Sequence, residues 1–168
     1  MTVRRLNHAV LYVRDAEASA AFYAEALGFR TIVAFPGAVF LQASGSTNDH
    51  DLGLFSIGAD AQASGAGRTT VGLYHLAWEV ETLADLRSAE DRLRRMGSLV
   101  GATDHGSTKA LYAKDIDGIE FEVSWLVPAD LLDADGGFKG NLPLDIDKEV
   151  ARYGLETAGG LGVSWPVA

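Results

Sequence analysis

The four histidines are the residues best suited to chemistry in this chain of 168 residues, which contains no cysteine. The lack of cysteine excludes disulfides, thiolate zinc sites, iron–sulfur clusters and thiol nucleophiles. A metal ion would therefore be bound by histidine, aspartate, glutamate or water. Histidine can also serve as a general acid or base near neutral pH. The chemistry open to the protein depends on where His8, His50, His75 and His105 lie.

An internal repeat predicts the elements that position these histidines. Alternation, capping residues and turns predict the order strand, helix and three strands twice, joined by a connector rich in Gly, Ala and Ser. The first module spans 5–57 and the second 72–126, with the connector at 58–71. In the first module we expect strands at 6–13, about 29–35, 38–43 and 51–57, and a helix between Asp15 and Gly28. In the second we expect strands at 73–80, about 99–103, 108–114 and 119–126, and a helix between Thr82 and Gly97. His8 and His75 then fall at equivalent points of the two first strands.

Composition narrows the class of protein. Apolar residues make up 48% and charged residues 22%, which is typical of a globular domain. The net charge is −9, and no block of Lys or Arg is present to bind nucleic acid. The longest apolar runs are too short to span a membrane, and the run after Arg5 ends at Arg14 without a signal-peptide cleavage site. We therefore expect a cytoplasmic protein without nucleic-acid or membrane partners.

Three short motifs resemble the vicinal oxygen chelate superfamily, which includes glyoxalases, bleomycin-binding proteins, fosfomycin-modifying enzymes and type I extradiol dioxygenases. They are Leu6-Asn7-His8-Ala9-Val10, Tyr74-His75-Leu76-Ala77-Trp78, and Asp115-Ile116-Asp117-Gly118 followed by Glu122. Ile116 replaces the proline of the family signature. The resemblance implies an α+β fold in which two βαβββ modules form one open, incomplete barrel with the ligand in its concave face. It makes 1–127 a single domain. Residues 128–168 become an extension with a short helix at 145–153, acting as a lid or an assembly segment.

The resemblance also implies a metal site. It makes His8, His75 and Glu122 a triad of two histidines and one carboxylate, which leaves open positions suited to Fe(II) or Mn(II). Glu120 shares a strand face with Glu122 and competes for this role, but the family signature places the ligand at Glu122. The last strand of the first module is apolar where glyoxalases usually draw a further ligand, which favours three ligands. The plainer interpretation is that both histidines are core residues and that Glu122 is solvated.

Three more residues match the smaller extradiol dioxygenases. His50 resembles their acid/base beside the oxygen site, and His105 and Tyr112 resemble the pair that hydrogen-bonds the substrate and bound oxygen. Alternatively, His50 and His105 are ordinary loop histidines and Tyr112 is a core aromatic residue.

These matches predict an Fe(II)-dependent extradiol dioxygenase that cleaves a catechol-like aromatic diol with O2. We expect it to be a homodimer or a larger homo-oligomer, as superfamily members often are. Two alternatives stay open at this point. One is a metal-dependent isomerase or glyoxalase-type enzyme on the same fold. The other is a protein of the bleomycin-resistance type that binds an antibiotic or another small molecule without catalysis.

Overall fold

The repeat predicted from the sequence is present in the structure, a computed structural model that describes residues 1–3, 5–67, 69–132 and 140–160. The first module consists of β1 (Ala9–Val13), α1 (Ala16–Leu27), β2 (Arg30–Phe35), β3 (Ala38–Gln42) and β4 (Leu52–Ser56). The second consists of β5 (Leu76–Glu79), α2 (Leu83–Arg95), β6 (Leu99–Asp104), β7 (Thr108–Lys114) and β8 (Glu120–Leu126). The extension holds a 3-10 helix (Ala129–Leu131), β9 (Leu142–Pro143) and α3 (Ile146–Tyr153).

Each module forms its own sheet with the same topology. The first sheet has the order β1-β4-β3-β2, and the second has β5-β8-β7-β6, with β9 added at the β6 edge. In both, the first strand pairs parallel to the last, and the remaining pairs are antiparallel. The predicted fold class, α+β with two βαβββ modules, is confirmed.

Local sequence signals explain where the helices begin and end. The Asp15 side chain accepts hydrogen bonds from two backbone N–H groups of the first turn of α1, and Gly28 ends the helix with φ of 73°. Thr82 and Asp85 form a reciprocal capping box at the start of α2. The caps predicted from the sequence are therefore present.

The chain forms two compact units, each with its own core. Unit 1 consists of Met1–Gly65 together with the turn Asp115–Ile119, and unit 2 consists of Ala66–Lys114 and Glu120–Ala168. In unit 1, α1 covers one sheet face with Tyr23 and Ala26, which are fully buried like Leu41 and Leu54. The core of unit 2 contains Leu86, Leu93, Leu111, Phe121, Val123 and Trp125, all fully buried. Burial of these apolar side chains provides the main stabilisation of each unit. The single domain predicted over 1–127 stays a prediction.

The first strand of each module is shorter than the sequence predicts. The predictions of strands from Leu6 and from Leu73 are wrong, because β1 begins at Ala9 and β5 at Leu76. β1 and β5 each begin at the first residue that pairs with the neighbouring strand. Ala9 pairs with Leu52 of β4, and Leu76 pairs with Phe121 of β8. His8 and His75 therefore lie immediately before their strands rather than within them.

Among the described residues, no helix is long and apolar enough to cross a membrane.

Candidate functional site

His75 and Glu122 lie side by side in unit 2. Pairing of β5 with β8 places Glu122 opposite Ala77, and the His75 Nε2 atom lies 3.3 Å from the Glu122 Oε2 atom. Both side chains are largely shielded, with 23% and 12% of their surface exposed. The other ring nitrogen of His75, Nδ1, is buried and has no hydrogen-bond partner among the described residues. Within the described part of the chain, Glu122 rather than Glu120 is the carboxylate that contacts His75.

Tyr112 and His105 extend this pair into a chain of four side chains. Tyr112 lies opposite Glu122 in the β7–β8 ladder, and the Glu122 carboxylate is close enough to influence the Tyr112 hydroxyl electrostatically. The His105 Nε2 atom lies 3.0 Å from the same hydroxyl. Burial, and then the negative charge of Glu122, raise the pKa of Tyr112 to about 12. Tyr112 is therefore a protonated hydrogen-bond donor throughout the physiological pH range.

His8 and His50 are brought together in unit 1. Their ring centroids are 4.4 Å apart, and the rings are tilted by 37°. The Nδ1 atom of His8 lies 2.8 Å from the Asn7 side chain, and that of His50 lies 3.0 Å from Asp49. The Phe40 ring completes this group, nearly perpendicular to the His50 ring at 87° and with its centroid 5.2 Å away. Two of the six predicted site residues therefore meet in unit 1, and the other four meet in unit 2.

Asp51 explains why the chain presents His50 at this point. The Asp51 carboxylate is buried and accepts hydrogen bonds from Ala43 N at 2.9 Å, Ser46 Oγ at 2.8 Å and Asn48 Nδ2 at 2.7 Å. The Asp51 carbonyl in turn accepts from Ala9 N, at the first residue of β1. One aspartate thus closes the polar turn before β4 and ties it to the residue after His8. This role of Asp51 was not predicted from the sequence, although the Ser- and Asn-rich turn before an aspartate is a signal for it.

The signature aspartates serve the fold rather than the site. The Asp115 Oδ1 atom accepts from the N–H groups of Asp117 and Ile119 at 2.9 and 2.8 Å, which closes a tight turn around Gly118. The Asp115 Oδ2 atom accepts from the Tyr23 hydroxyl at 3.1 Å. Asp117 accepts from the backbone N–H of Arg14 at 3.0 Å and from its guanidinium at 2.6 Å. The turn Asp115–Ile119 is therefore bound to the β1–α1 loop at Arg14 and to α1 at Tyr23, all within unit 1.

The described residues provide part of a metal-ligand set, namely His75 and Glu122. Two ligand atoms bound side by side at about 2.1 Å from one cation lie about 3 Å apart, close to the separation of His75 Nε2 and Glu122 Oε2. No group of three or more His, Asp or Glu side chains is arranged to hold a metal ion among the described residues. The full triad with His8 therefore stays a prediction.

The comparisons with known proteins decide the family. A family model described as the Glyoxalase/Bleomycin resistance protein/Dioxygenase superfamily matches residues 5–123. The chain belongs to this superfamily. The resemblance seen in the three sequence motifs is thereby confirmed. No curated protein matches the chain.

Solved structures of superfamily members share the fold. A glyoxylase/bleomycin resistance protein/dioxygenase domain from Frankia sp. is 24% identical, with a TM-score of 0.59, over 73% of this chain and 92% of that chain. A glyoxalase/dioxygenase from Nostoc punctiforme is 20% identical, with a TM-score of 0.59, over 72% and 90%. Lactoylglutathione lyase from Agrobacterium tumefaciens is 23% identical, with a TM-score of 0.51, over 70% and 90%. At these identities the likeness establishes the fold alone.

Proposed function

We propose that this superfamily member is an Fe(II)-dependent extradiol dioxygenase that cleaves a catechol-like aromatic diol with O2. The observation that carries the proposal is the row of neighbouring side chains His75, Glu122, Tyr112 and His105. This row supports the proposal because two predicted metal ligands neighbour the two residues predicted to bind substrate and oxygen. The low exposure of the Glu122 side chain, 12%, also supports a role in the site over that of a solvated strand residue.

His8, His75 and Glu122 are the residues that would hold the metal. Fe(II) would supply a centre at which the diol oxygens and O2 bind next to each other. Two histidines and one carboxylate leave the open coordination positions that this chemistry needs. The buried Nδ1 atom of His75 has no hydrogen-bond partner among the described residues, so the site holds a polar group that the described protein does not satisfy.

Tyr112, His50 and Phe40 would act on the substrate rather than hold the metal. Tyr112 keeps its proton, and once substrate binds its hydroxyl turns from His105 Nε2 to donate a hydrogen bond to an oxygen atom of the substrate. The His50 imidazole acts as a general base that accepts a proton from the diol and as a general acid that returns it later. The Phe40 ring beside His50 offers an apolar surface to an aromatic ring.

Oxygen uptake tests the reaction. The protein is reconstituted with Fe(II) under anaerobic conditions and mixed with substituted catechols in aerated buffer, and oxygen consumption is recorded with ring-cleavage absorbance. We expect turnover with at least one catechol. We also expect a loss of about 100-fold or more in His50→Ala, with the bound iron unchanged, because acid–base groups contribute about 10²–10⁴-fold. Iron-loaded protein that consumes no oxygen with any catechol contradicts the proposal. Turnover without oxygen on Ni(II), Co(II) or Zn(II) points instead to a glyoxalase-type or isomerase reaction.

Metal content tests the ligand set through a matched pair of variants. Glu122→Gln removes the carboxylate that contacts His75, whereas Glu120→Gln makes the same change two residues earlier on the same strand face. We expect Glu122→Gln to lose most of its iron after gel filtration and Glu120→Gln to retain it. Equal retention in both variants would remove Glu122 from the site. Wild-type protein that binds no metal would favour a small-molecule-binding function of the bleomycin-resistance type.

The predicted homo-oligomer is also part of this proposal. Light scattering of the purified 168-residue chain measures its molar mass against the 17.8 kDa of one chain. A dimer or a larger assembly is expected.

A further inference from the structure

Lys109 carries a buried charge that the proposed reaction does not use. It lies on β7 with only 1% of its side chain exposed. Its Nζ atom lies 2.5 Å from Asp104 Oδ1 and 3.0 Å from Glu149 Oε2, and 5.6 Å from the centre of the Tyr153 ring. Glu149 is itself 5% exposed and belongs to α3 of the extension. Burying a charged lysine costs desolvation free energy, so buried lysines are normally paired with a carboxylate. Here the paired Lys109 links Asp104 on β6 to Glu149 on α3.

Asp104 links Lys109 to the turn that contains His105, because it bonds both the lysine and the turn backbone. The same Asp104 Oδ1 atom accepts from Gly106 N at 2.8 Å. The His105 N–H donates to the Thr108 carbonyl at 2.9 Å. Gly106 adopts φ of 91°, which a side chain would disfavour, and this allows the turn to be tight. The backbone at His105 is therefore held directly beside the buried ion cluster.

The extension also contacts the His105 ring. Strand β9 pairs with the end of β6, with Leu142 opposite Asp104. Two residues before Leu142, the Gly140 carbonyl oxygen lies 3.2 Å from His105 Nδ1. A carbonyl can only accept, so Nδ1 carries the proton. In the neutral ring, Nε2 then presents its lone pair to the Tyr112 hydroxyl at 3.0 Å.

We propose that the extension is a working part of the active site, in which Gly140 sets the tautomer of His105 and the Lys109–Glu149 pair holds its backbone in place. Lys109 and Glu149 are positioning residues, since they act through Asp104 and β9 rather than on the substrate. The catalytic consequence rests on the proposed dioxygenase function. The tautomer of His105 does not, and it can be measured in the protein without added metal.

A matched pair of variants on α3 tests the proposal. Glu149→Gln removes the carboxylate that meets Lys109, while Asp147→Asn makes the equivalent change in an exposed pair with Arg87 on the same helix. Nitrogen-15 NMR of the imidazoles at about pH 8, above the usual histidine pKa of about 6.5, reports which ring nitrogen bears the proton. The His105 signals are assigned by their loss in His105→Gln.

We expect the Nδ1–H form of His105 in the wild type and in Asp147→Asn, and a mixture of both tautomers in Glu149→Gln. A wild-type His105 in the Nε2–H form overturns the proposal, as does a Glu149→Gln spectrum identical to that of the wild type. If Glu149→Gln does not fold, Glu149→Asp is measured instead, because it keeps the charge but withdraws it by one methylene. The same expectation applies to it.

Oxygen uptake adds the catalytic readout. We expect kcat to fall roughly tenfold in Glu149→Gln and to stay within twofold in Asp147→Asn, in line with the effect of groups that orient a site residue. If the wild type turns over no catechol, the dioxygenase function fails while the NMR result still decides the positioning role. If the wild type is active and Glu149→Gln retains full kcat, the positioning role fails on its own.

Discussion

Replacing Tyr23 by Phe removes one hydroxyl from a fully buried side chain and tests what the Asp115 carboxylate does for the fold. Tyr23 donates to Asp115 over 3.1 Å, and the backbone N–H groups of Asp117 and Ile119 donate to the same carboxylate. Asp115 is itself only 6% exposed, so water cannot readily replace the lost donor. The variant therefore leaves a buried carboxylate with two of these three hydrogen bonds.

The expected cost follows from this geometry. A hydrogen bond to a charged acceptor contributes about 1.5–3 kcal/mol, so we expect unfolding to require about 2 kcal/mol less. For a chain of this size, that change lowers Tm by roughly 4–8 °C. Urea unfolding followed by far-UV circular dichroism measures the loss. Tyr12→Phe is the control, because Tyr12 is 73% exposed, and it should stay within about 0.5 kcal/mol of the wild type.

The pH dependence of this cost gives a second check. Burial is the largest influence on the pKa of Asp115 and raises it, while the Tyr23 hydrogen bond lowers it. Because the folded pKa lies above the unfolded value, the contribution of Asp115 to stability is greatest below the unfolded pKa and is lost as pH rises through the folded pKa. Tyr23→Phe raises the folded pKa further, so its cost should be larger at pH 7 than at the lowest pH at which both proteins are folded. A cost equal to that of Tyr12→Phe, or one that grows on acidification, would refute this account of the signature turn.

Two further changes probe unit 2. Glu122→Gln removes the carboxylate that most strongly raises the pKa of Tyr112, so in an ultraviolet titration this pKa should fall from about 12 toward its ordinary value of 10.0. Glu120→Gln removes a weaker influence on the same pKa and should lower it by less, and an equal change in the two variants would contradict this assignment. Gly159→Ala should undock the end of the extension, because a Cβ atom there would collide with the Leu126 carbonyl and the Trp125 indole, whereas Gly45→Ala meets nothing within 4 Å. Faster proteolysis of Gly159→Ala and altered tryptophan fluorescence are the expected signs, and a cleavage rate equal to that of Gly45→Ala would contradict the predicted collision.

Sequence patterns predicted the regular elements well wherever local signals define them. Strand β7 was predicted over 108–114, the range observed, because its alternation is bounded by Gly106-Ser107 before it and Asp115 after it. The α1 and α2 caps follow from Asp15 and Thr82, which interact with residues only two or three positions away. The strand starts at Leu6 and Leu73 were wrong because a strand ends where its partner ends, and the partners lie more than 40 residues further along the chain.

The residues in and around the site likewise divide into those that short motifs predict and those whose contacts depend on distant parts of the chain. The motifs identified Glu122, and the β5–β8 register brings it to His75. The cluster of Lys109, Asp104 and Glu149 was missed because a lysine on an alternating strand is normally solvated. Only the packing of α3, 40 residues later, makes it a buried cation. Strand β9 was missed because its two residues carry no periodic pattern.

The turn Asp115–Ile119 also determines when unit 1 can finish folding during synthesis. The Tyr23–Asp115 and Arg14–Asp117 bonds join residues 92 and 103 positions apart. When Gly65 has been synthesised, every strand of the first sheet exists, yet the acceptors for the Tyr23 hydroxyl and the Arg14 guanidinium have not been made. Contacts with such long separation slow folding, since the intervening chain must be ordered first. Most of unit 1 is therefore synthesised before the second module, but unit 1 cannot complete its contacts until most of the second module has left the ribosome.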